Sequence, residues 1–223
     1  MTLRRRVLGE LGTVYDPELD EPITALGFVG CCEVSAEGDV SVRLRLPTPQ
    51  CAPNFAFLMA ADAQAAIHRV PGVRSARVEL EDHYTGREIN SAVARGEGFA
   101  AAFPGETRAE LDELRALFRR KALVAREGRL LGSVPDPSSA RMRDLSGPDA
   151  ARCRVLRRAL GIDASDDAPA FVRGDGTPVR TDELGRFTRM ARLTALSLET
   201  NGGMCRDLLR ARYPETEREE VAV

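Results

Sequence analysis

The 223-residue sequence contains no tryptophan, one lysine, two histidines and only 5% aromatic residues. It also lacks any apolar run near the roughly 20 residues that a membrane-spanning helix needs. The formal net charge of −2 argues against nucleic acid, because domains that bind it usually carry a basic face and a high pI. Phosphate-binding loops, dinucleotide fingerprints and the common hydrolase motifs are missing too. We therefore expect no membrane span, no nucleic-acid partner and none of these common enzyme classes.

What the sequence does contain is typical of a globular protein, with 43% hydrophobic and 30% charged residues. The length fits one large domain or two small ones. The N-terminus is basic, but Glu10 and Asp16 fall where a signal peptide needs apolar residues, so we expect a cytoplasmic protein. Five cysteines are an odd number for a reducing compartment, which points to thiol or metal chemistry instead of a disulfide framework.

Hydrophobic periodicity predicts an α-β-β-α-β order over the first hundred residues. Apolar residues recur at helical spacing in 3–11 after Thr2, a candidate N-cap. Residues 40–46 alternate apolar and polar side chains, as a half-buried strand does, and pair with 28–34 in a predicted hairpin. An Ala-rich helix and a third strand follow. A helix on one face of a three-stranded sheet would give a small two-layer core.

The remainder predicts a mainly helical extension that contains a β-hairpin, so the fold class is α+β. Capping-box spacing predicts that one helix begins at Thr85, still in the first part of the chain, and another at Thr107, in the extension. We place the domain boundary between 103 and 104, giving domains 1–103 and 104–223. The extension is predicted to hold a helix over 150–160 and a hairpin across the Gly-Asp-Gly turn at 174–176. A strand over 191–198, with a helix as the alternative there, a loop over 199–204 and a last helix complete the prediction.

Cys51 is the most informative position. It follows a predicted strand and stands where a helix begins, with Pro53 just inside that helix. The helix dipole and the free backbone N–H groups there favour thiolate, which can ligate a metal or act as a nucleophile. The alternative is a thiol that packs inertly beneath the helix, and the spacing leaves both open.

Three ordered motifs in the first hundred residues resemble the PaaD-like and SufT-like iron–sulfur assembly domain family. They are an acidic turn, a strand start and a loop that ends in cysteine, carried by Asp16, Pro17, Glu18, Leu26, Gly27, Val29, Thr48 and Cys51. The resemblance implies a cytoplasmic accessory protein, not an enzyme, that transiently binds iron or an iron–sulfur cluster and delivers it to a client metalloprotein. The family cysteine maps onto Cys51 and the family acidic turn onto Asp16 and Glu18. The chain departs from the family at Ala52, which separates the cysteine from Pro53.

The extended length is similar to that of actinobacterial assembly factors associated with alkane and propane monooxygenases. This resemblance implies an oxygenase component, with its di-iron centre, as the client. A metal-independent, chaperone-like partner of such an oxygenase is the alternative function. The sequence leaves a monomer and a homodimer both open.

The predicted strand, loop, cysteine and helix around Cys205 repeat the arrangement around Cys51. If the two halves pack together, Cys51 and Cys205 could share an iron or zinc site with Glu18 or Glu199. The alternative is that Cys205 packs inward, because no C-x-x-C pair supports ligation.

His83 follows the third predicted strand and is a further candidate. It could ligate a metal, act as the base for a Cys51 nucleophile in a thiol enzyme, or lie in a surface loop. The candidate metal ligands are therefore Cys51, Glu18, Asp16, Cys205, Glu199 and His83. The other cysteines, Cys31, Cys32 and Cys153, are predicted to be packing residues.

Overall fold

A computed structural model of the chain describes residues 1–105 and 111–214. They form two compact units, one of Met1–Leu111 with Asn201–Val223 and one of Asp112–Thr200. In this division residues 201–214 group with the N-terminal part of the chain. The domains 1–103 and 104–223 stay a prediction. Within the described ranges, no helix is long and apolar enough to cross a membrane.

The first unit is built on a three-stranded sheet of β1 (Val29–Val34), β2 (Asp39–Arg45) and β3 (Ser75–Glu81), in that order. Strand β1 pairs antiparallel with β2, and β2 pairs parallel with β3. The predicted α-β-β-α-β order is confirmed. The elements are α1 (Leu3–Leu11), β1 (Val29–Val34), β2 (Asp39–Arg45), α2 (Pro53–His68), β3 (Ser75–Glu81), α3 (Gly86–Arg95) and α4 (Phe99–Ala102).

Local sequence explains these elements. The Thr2 hydroxyl accepts a hydrogen bond from the Arg5 amide at 3.3 Å, as its predicted N-cap role requires. Along β2, Val40, Val42 and Leu44 are buried in strict alternation and face the core with α2. The turn between β1 and β2 needs glycine at position 38. The φ of Gly38 is +88°, and a Cβ there would lie 2.4 Å from the Gly72 carbonyl oxygen.

The second unit consists of helices α5 (Asp112–Leu130) and α6 (Gly147–Ala159) and the first part of α7 (Leu184–Arg212). The Gly-Asp-Gly turn is closed by a single antiparallel bridge between Val172 and Pro178, and Arg173 N–H donates to Thr177 O at 2.8 Å. The predicted hairpin is thus reduced to this bridged turn. The capping box at Thr107 lies outside the described residues.

Two predictions for the extension are wrong. Residues 191–198 are not a strand and 199–204 are not a loop, since both lie within the 29-residue helix α7. The buried residues Phe187, Ala191, Ala195 and Leu198 recur with helical period, and Leu and Ala are strong helix formers. The alternation in 191–198 therefore misled the prediction because both faces of this helix carry leucines, including the exposed Leu193.

Candidate functional site

The Cys51 loop lies at the carboxyl end of the sheet. Because β2 and β3 are parallel, the loops that follow them begin at the same edge, and Tyr84 N–H donates to Pro49 O across that edge at 3.0 Å. Cys51 is half-buried and precedes the N-cap residue of α2, Ala52, whose side chain makes no capping bond. The Thr48 hydroxyl lies 3.5 Å from the Cys51 Sγ. The thiol thus stands at a helix start, as predicted, with a hydroxyl beside it.

His83 contacts the backbone of this loop. Its Nε2 lies 2.8 Å from the Cys51 carbonyl oxygen, and the Thr85 backbone N–H donates to Nδ1 at 3.3 Å. An amide can only donate, so Nδ1 is the acceptor and the neutral ring carries its proton on Nε2. Burial lowers the pKa of His83, and the Arg212 charge lowers it further, against the bond to Cys51 O. The geometry gives His83 a role in holding the loop and does not support a base for the thiol or a metal ligand.

Thr85 shows the same preference for the loop. It is the N-cap of α3, but its side chain makes no capping bond, so the predicted capping box does not form. Its hydroxyl lies 3.1 Å from the His83 Nδ1 instead. The Thr85 hydroxyl therefore helps to orient the His83 imidazole.

Asp16 is buried in the acidic turn. Its Oδ1 accepts hydrogen bonds from the amides of Glu18 and Leu19 at 2.8 and 2.9 Å, which closes the turn. Burial nevertheless raises its pKa to about 6, and the charges of Glu18 and Glu21 add to the rise. No arginine, lysine or histidine pairs with Asp16 in the described ranges, so the two amide bonds are the contacts that stabilise its carboxylate there.

Cys205 lies in the second half of α7 and not at a helix start. Arg206 next to it donates to Glu21 Oε2 at 2.5 Å, and Gly202 allows the approach because a Cβ there would lie 2.6 Å from Glu21 Oε1. The Asp16 amide in turn donates to the Glu21 carbonyl at 2.9 Å. This segment of α7 is therefore tied to the acidic turn.

The end of α7 is tied to the Cys51 loop as well. Arg212 donates to the carbonyl oxygens of Leu46 and Asp82 at 3.1 and 2.8 Å. The Tyr213 hydroxyl donates to Asp82 Oδ2 at 3.3 Å. Cys205 is thus carried on a helix segment that is anchored both to the acidic turn and to the two loops at the carboxyl end of the sheet.

The anchored segment brings Cys205 into the electrostatic field of the other candidates. Burial, aided by the charges of Asp16, Cys51 and Glu18 and opposed by that of Arg206, raises the pKa of the Cys205 thiol to about 11. Both Cys51 and Cys205 pack against the same hydrophobic core. The arrangement opposes negative charge in the absence of a cation. A bound cation would reverse that balance, because it favours thiolate and carboxylate.

Glu199 is not part of this neighbourhood. It is exposed, belongs to the second compact unit and lies 3.5 Å from the Arg129 guanidinium. Cys31 and Cys32 are buried in β1, and Cys153 is buried in α6, where desolvation raises its pKa to about 12. Over 1–105 and 111–214, no three His, Cys, Asp or Glu residues are arranged as a metal site. Of the predicted ligands, Asp16, Cys51 and Glu18 act on the Cys205 thiol through their charges, and a shared metal site stays a prediction.

Three residues that hold the segment carrying Cys205 were not predicted from the sequence, namely Glu21, Arg206 and Arg212. The Glu21–Arg206 pair joins residues 185 positions apart, so no local spacing could reveal it. The one available signal was the pair of glycines at 202 and 203, which the analysis read as a turn.

Comparison with known proteins gives the chain a family. Residues 4–80 match the model of the iron-sulfur cluster assembly protein family. An uncharacterised protein of Methanocaldococcus jannaschii is 32% identical over 97 residues, which are 44% of this chain and all of that relative. The chain belongs to the iron–sulfur cluster assembly protein family. The match contains Asp16, Glu18, Thr48 and Cys51, and ends before His83 and Cys205.

Two further relatives carry functional names. An iron-sulfur cluster carrier protein of Deinococcus radiodurans is 38% identical over 75 residues, 33% of this chain and 20% of that protein. An Fe-S protein maturation auxiliary factor of Porphyromonas gingivalis is 34% identical over 70 residues, 31% of this chain and 65% of that protein. No solved structure matches the chain. Family and relatives together support a role in iron–sulfur cluster assembly or maturation.

Proposed function

We propose that this protein carries iron or an iron–sulfur cluster as cargo on Cys51 and Cys205 and passes it to a client metalloprotein without turning over a small molecule. The observation that supports the proposal is the hydrogen bond from Arg206, next to Cys205, to Glu21, together with the charges of Asp16, Cys51 and Glu18 that act on the Cys205 thiol. Thiolates are the usual ligands of iron–sulfur clusters. Cys205 lies outside the family match, so the second thiol belongs to the extension.

The small number of thiol ligands suits a cluster that is bound only transiently. Clusters are typically held by four cysteine thiolates, whereas this neighbourhood offers two thiols. The remaining ligands then come from the donor or the client, which leaves the cluster open to exchange. Asp16, with two amide bonds on Oδ1, serves here as a buried carboxylate whose negative charge the positive charge of the cargo would stabilise.

Cargo loading should release protons. At pH 7.5 the Cys205 thiol, with its pKa near 11, is protonated and must lose that proton to ligate. We expect titration of the reduced, anaerobic protein with Fe²⁺ or Zn²⁺ to release one proton fewer in Cys205→Ser. The number is obtained from calorimetry in buffers of different ionisation enthalpy. Equal proton release in both proteins would remove Cys205 from the ligand set.

Anaerobic reconstitution with iron and sulfide tests the function itself. Cys51→Ser should abolish bound iron and the visible absorption, and Cys205→Ser should lower retention and accelerate transfer to an apo-acceptor. Cys153→Ala is the matched control, since that thiol is buried in the other unit, and it should bind cargo as the unaltered chain does. Full binding by Cys51→Ser would contradict the proposed thiolate role.

The client remains the one that the sequence resemblance implies, a component of an iron-containing oxygenase. Co-expression of such a hydroxylase with the chain tests it through the iron content and activity of the purified hydroxylase. The cargo mechanism predicts that Cys51→Ser fails to raise either. Full maturation by Cys51→Ser would instead favour the metal-independent, chaperone-like alternative.

A further inference from the structure

The first unit contains a cavity of about 440 Å³ that the proposed function does not use. This volume lies in the range of small-molecule sites. Its apolar wall includes Leu8, Leu26, Val29 and Leu209, and the exposed Ala25 stands at its mouth. All of the residues that line it belong to the first unit.

The described charged residues of the cavity wall are all positive. Arg45, Arg206 and Arg210 line it, while none of the described lining residues is acidic. Their carboxylate partners, Glu81, Glu21 and Asp207, lie outside the lining. An occupant therefore meets guanidinium groups at one side and hydrocarbon at the other.

The Arg45 side chain is held in place by its packing over Gly30 and by its contacts with Glu81 and Tyr213. A Cβ on Gly30 would lie 2.6–2.8 Å from the Arg45 side chain, so glycine lets that side chain cross the strand. The Arg45 Nε donates to Glu81 at 2.8 Å, and its guanidinium carbon lies 4.8 Å from the centre of the Tyr213 ring. A fixed guanidinium beside an apolar wall is a preorganised anion contact.

We propose that this cavity binds a small monocarboxylate with an apolar body, such as a medium-chain fatty acid. Each of the three arginines already has one carboxylate partner, so a single negative charge is accommodated more readily than a dianionic phosphate. The apolar wall provides the affinity, and the guanidinium groups select the anionic head group. The cavity shares Arg206 with the anchoring of Cys205, but its described lining contains none of the proposed cargo ligands.

Octanoate is the probe, titrated into the full chain and followed by ligand-observed NMR and calorimetry. We expect octylamine and octanol to bind at least tenfold more weakly than octanoate. Ala25→Trp should block the mouth and weaken octanoate at least tenfold, while Ala25→Ser should not. Cys51→Ser should bind octanoate as the unaltered chain does, which separates this site from the cargo proposal.

A second pair of variants serves if Ala25→Trp fails to fold. Arg210 and Asp207 are both exposed and pair with each other, so either can be neutralised without disturbing the core. Arg210→Gln should weaken octanoate about fivefold, whereas Asp207→Asn should leave it unchanged or tighter. Absence of octanoate binding, octylamine binding as tightly as octanoate, or equal binding by Arg210→Gln and Asp207→Asn would each overturn the proposal.

Discussion

Each of the two compact units buries a carboxylic acid with a raised pKa, Asp16 in the first and Glu127 in the second, and the surroundings of the two are opposite. In the second unit, Glu127 and Arg157 are both fully buried and lie 2.6 Å apart, and Glu127 also accepts from the Val172 amide at 2.9 Å. In the first unit, Asp16 is buried against two backbone amides, and the charges acting on it, those of Glu18 and Glu21, have its own sign.

The difference separates a structural acid from a chemical one. Burial raises the pKa of both groups, Glu127 to about 7 and Asp16 to about 6, but only Glu127 has a cation beside it. Arg157 further donates to the carbonyl oxygens of Pro169 and Ala170, so the pair joins α5 and α6 to the segment that follows. Asp16 has no such cation among the described residues. We infer that the Glu127–Arg157 pair stabilises the fold of its unit. Asp16, by contrast, is available to interact with the positive charge of the proposed cargo.

The largest effect should come from breaking the buried pair. Glu127→Ala leaves Arg157 buried without its carboxylate and should cost about 3–5 kcal/mol of unfolding free energy. The double variant Glu127→Met with Arg157→Met removes both charges and should be markedly less destabilised than the single variant. Urea unfolding followed by circular dichroism measures both. A single variant that costs less than about 1 kcal/mol would show that the pair has no structural role.

The next effect concerns Asp16 and pH. Because its pKa is raised from 3.8 to about 6 in the folded state, its contribution to stability is full below pH 4 and is lost as pH rises through 6. The loss is at most about 3 kcal/mol. Asp16→Asn keeps an acceptor for the two amides and should remove this part of the pH dependence.

Urea midpoints measured between pH 4 and 8 test this prediction. Glu127→Gln is the matched comparison, since the raised pKa of Glu127 gives the same sign over a range that extends to about pH 7. Cargo loading should restore stability at pH 8 in the unaltered chain and do so less in Asp16→Asn. An unchanged pH profile in Asp16→Asn would show that the carboxyl is not the titrating group.

A smaller effect, about 1 kcal/mol, is expected for His83→Ala, which removes the bond to the Cys51 carbonyl. The loop should loosen, and alkylation of Cys51 by iodoacetamide should become faster or stay the same. A fall in that rate at neutral pH would indicate instead that the imidazole activates the thiol.

The smallest effect on stability should come from Glu21→Gln. The Glu21–Arg206 pair is about one-third exposed, so its loss should cost less than about 1 kcal/mol. The functional effect should be larger, because this pair places Cys205, and iron retention should fall towards that of Cys205→Ser. Asp207→Asn, which removes the exposed pair with Arg210 one turn further, is the control and should retain iron normally.

Much of the first unit could be predicted because its signals are local. The strict alternation of 40–46 and the Thr2 cap concern neighbouring residues, and both are confirmed. The motif that ends in Cys51 also lies within a short segment, and it identified the family. The helix over 184–212 could not be predicted as well, because its exposed leucines produced an alternation that mimicked a strand.

The site was less predictable than the fold for a physical reason. Arg206 and Glu127 look like ordinary charged residues of amphipathic helices, and only tertiary packing makes one an anchor and the other a buried ion. The sequence placed Cys205 after a strand and a loop, whereas it lies within the uninterrupted helix α7, where the neighbouring Arg206 pairs with Glu21.

The anchoring of α7 also sets when the site can exist during synthesis. The ribosome delivers Glu21 185 residues before Arg206, which at about 5–20 residues per second is roughly 10–40 s. Cys51 is made 30 residues after Glu21 and 154 residues before Cys205. Until α7 has been made and has docked, the chain therefore lacks the second thiol that the proposed cargo site requires.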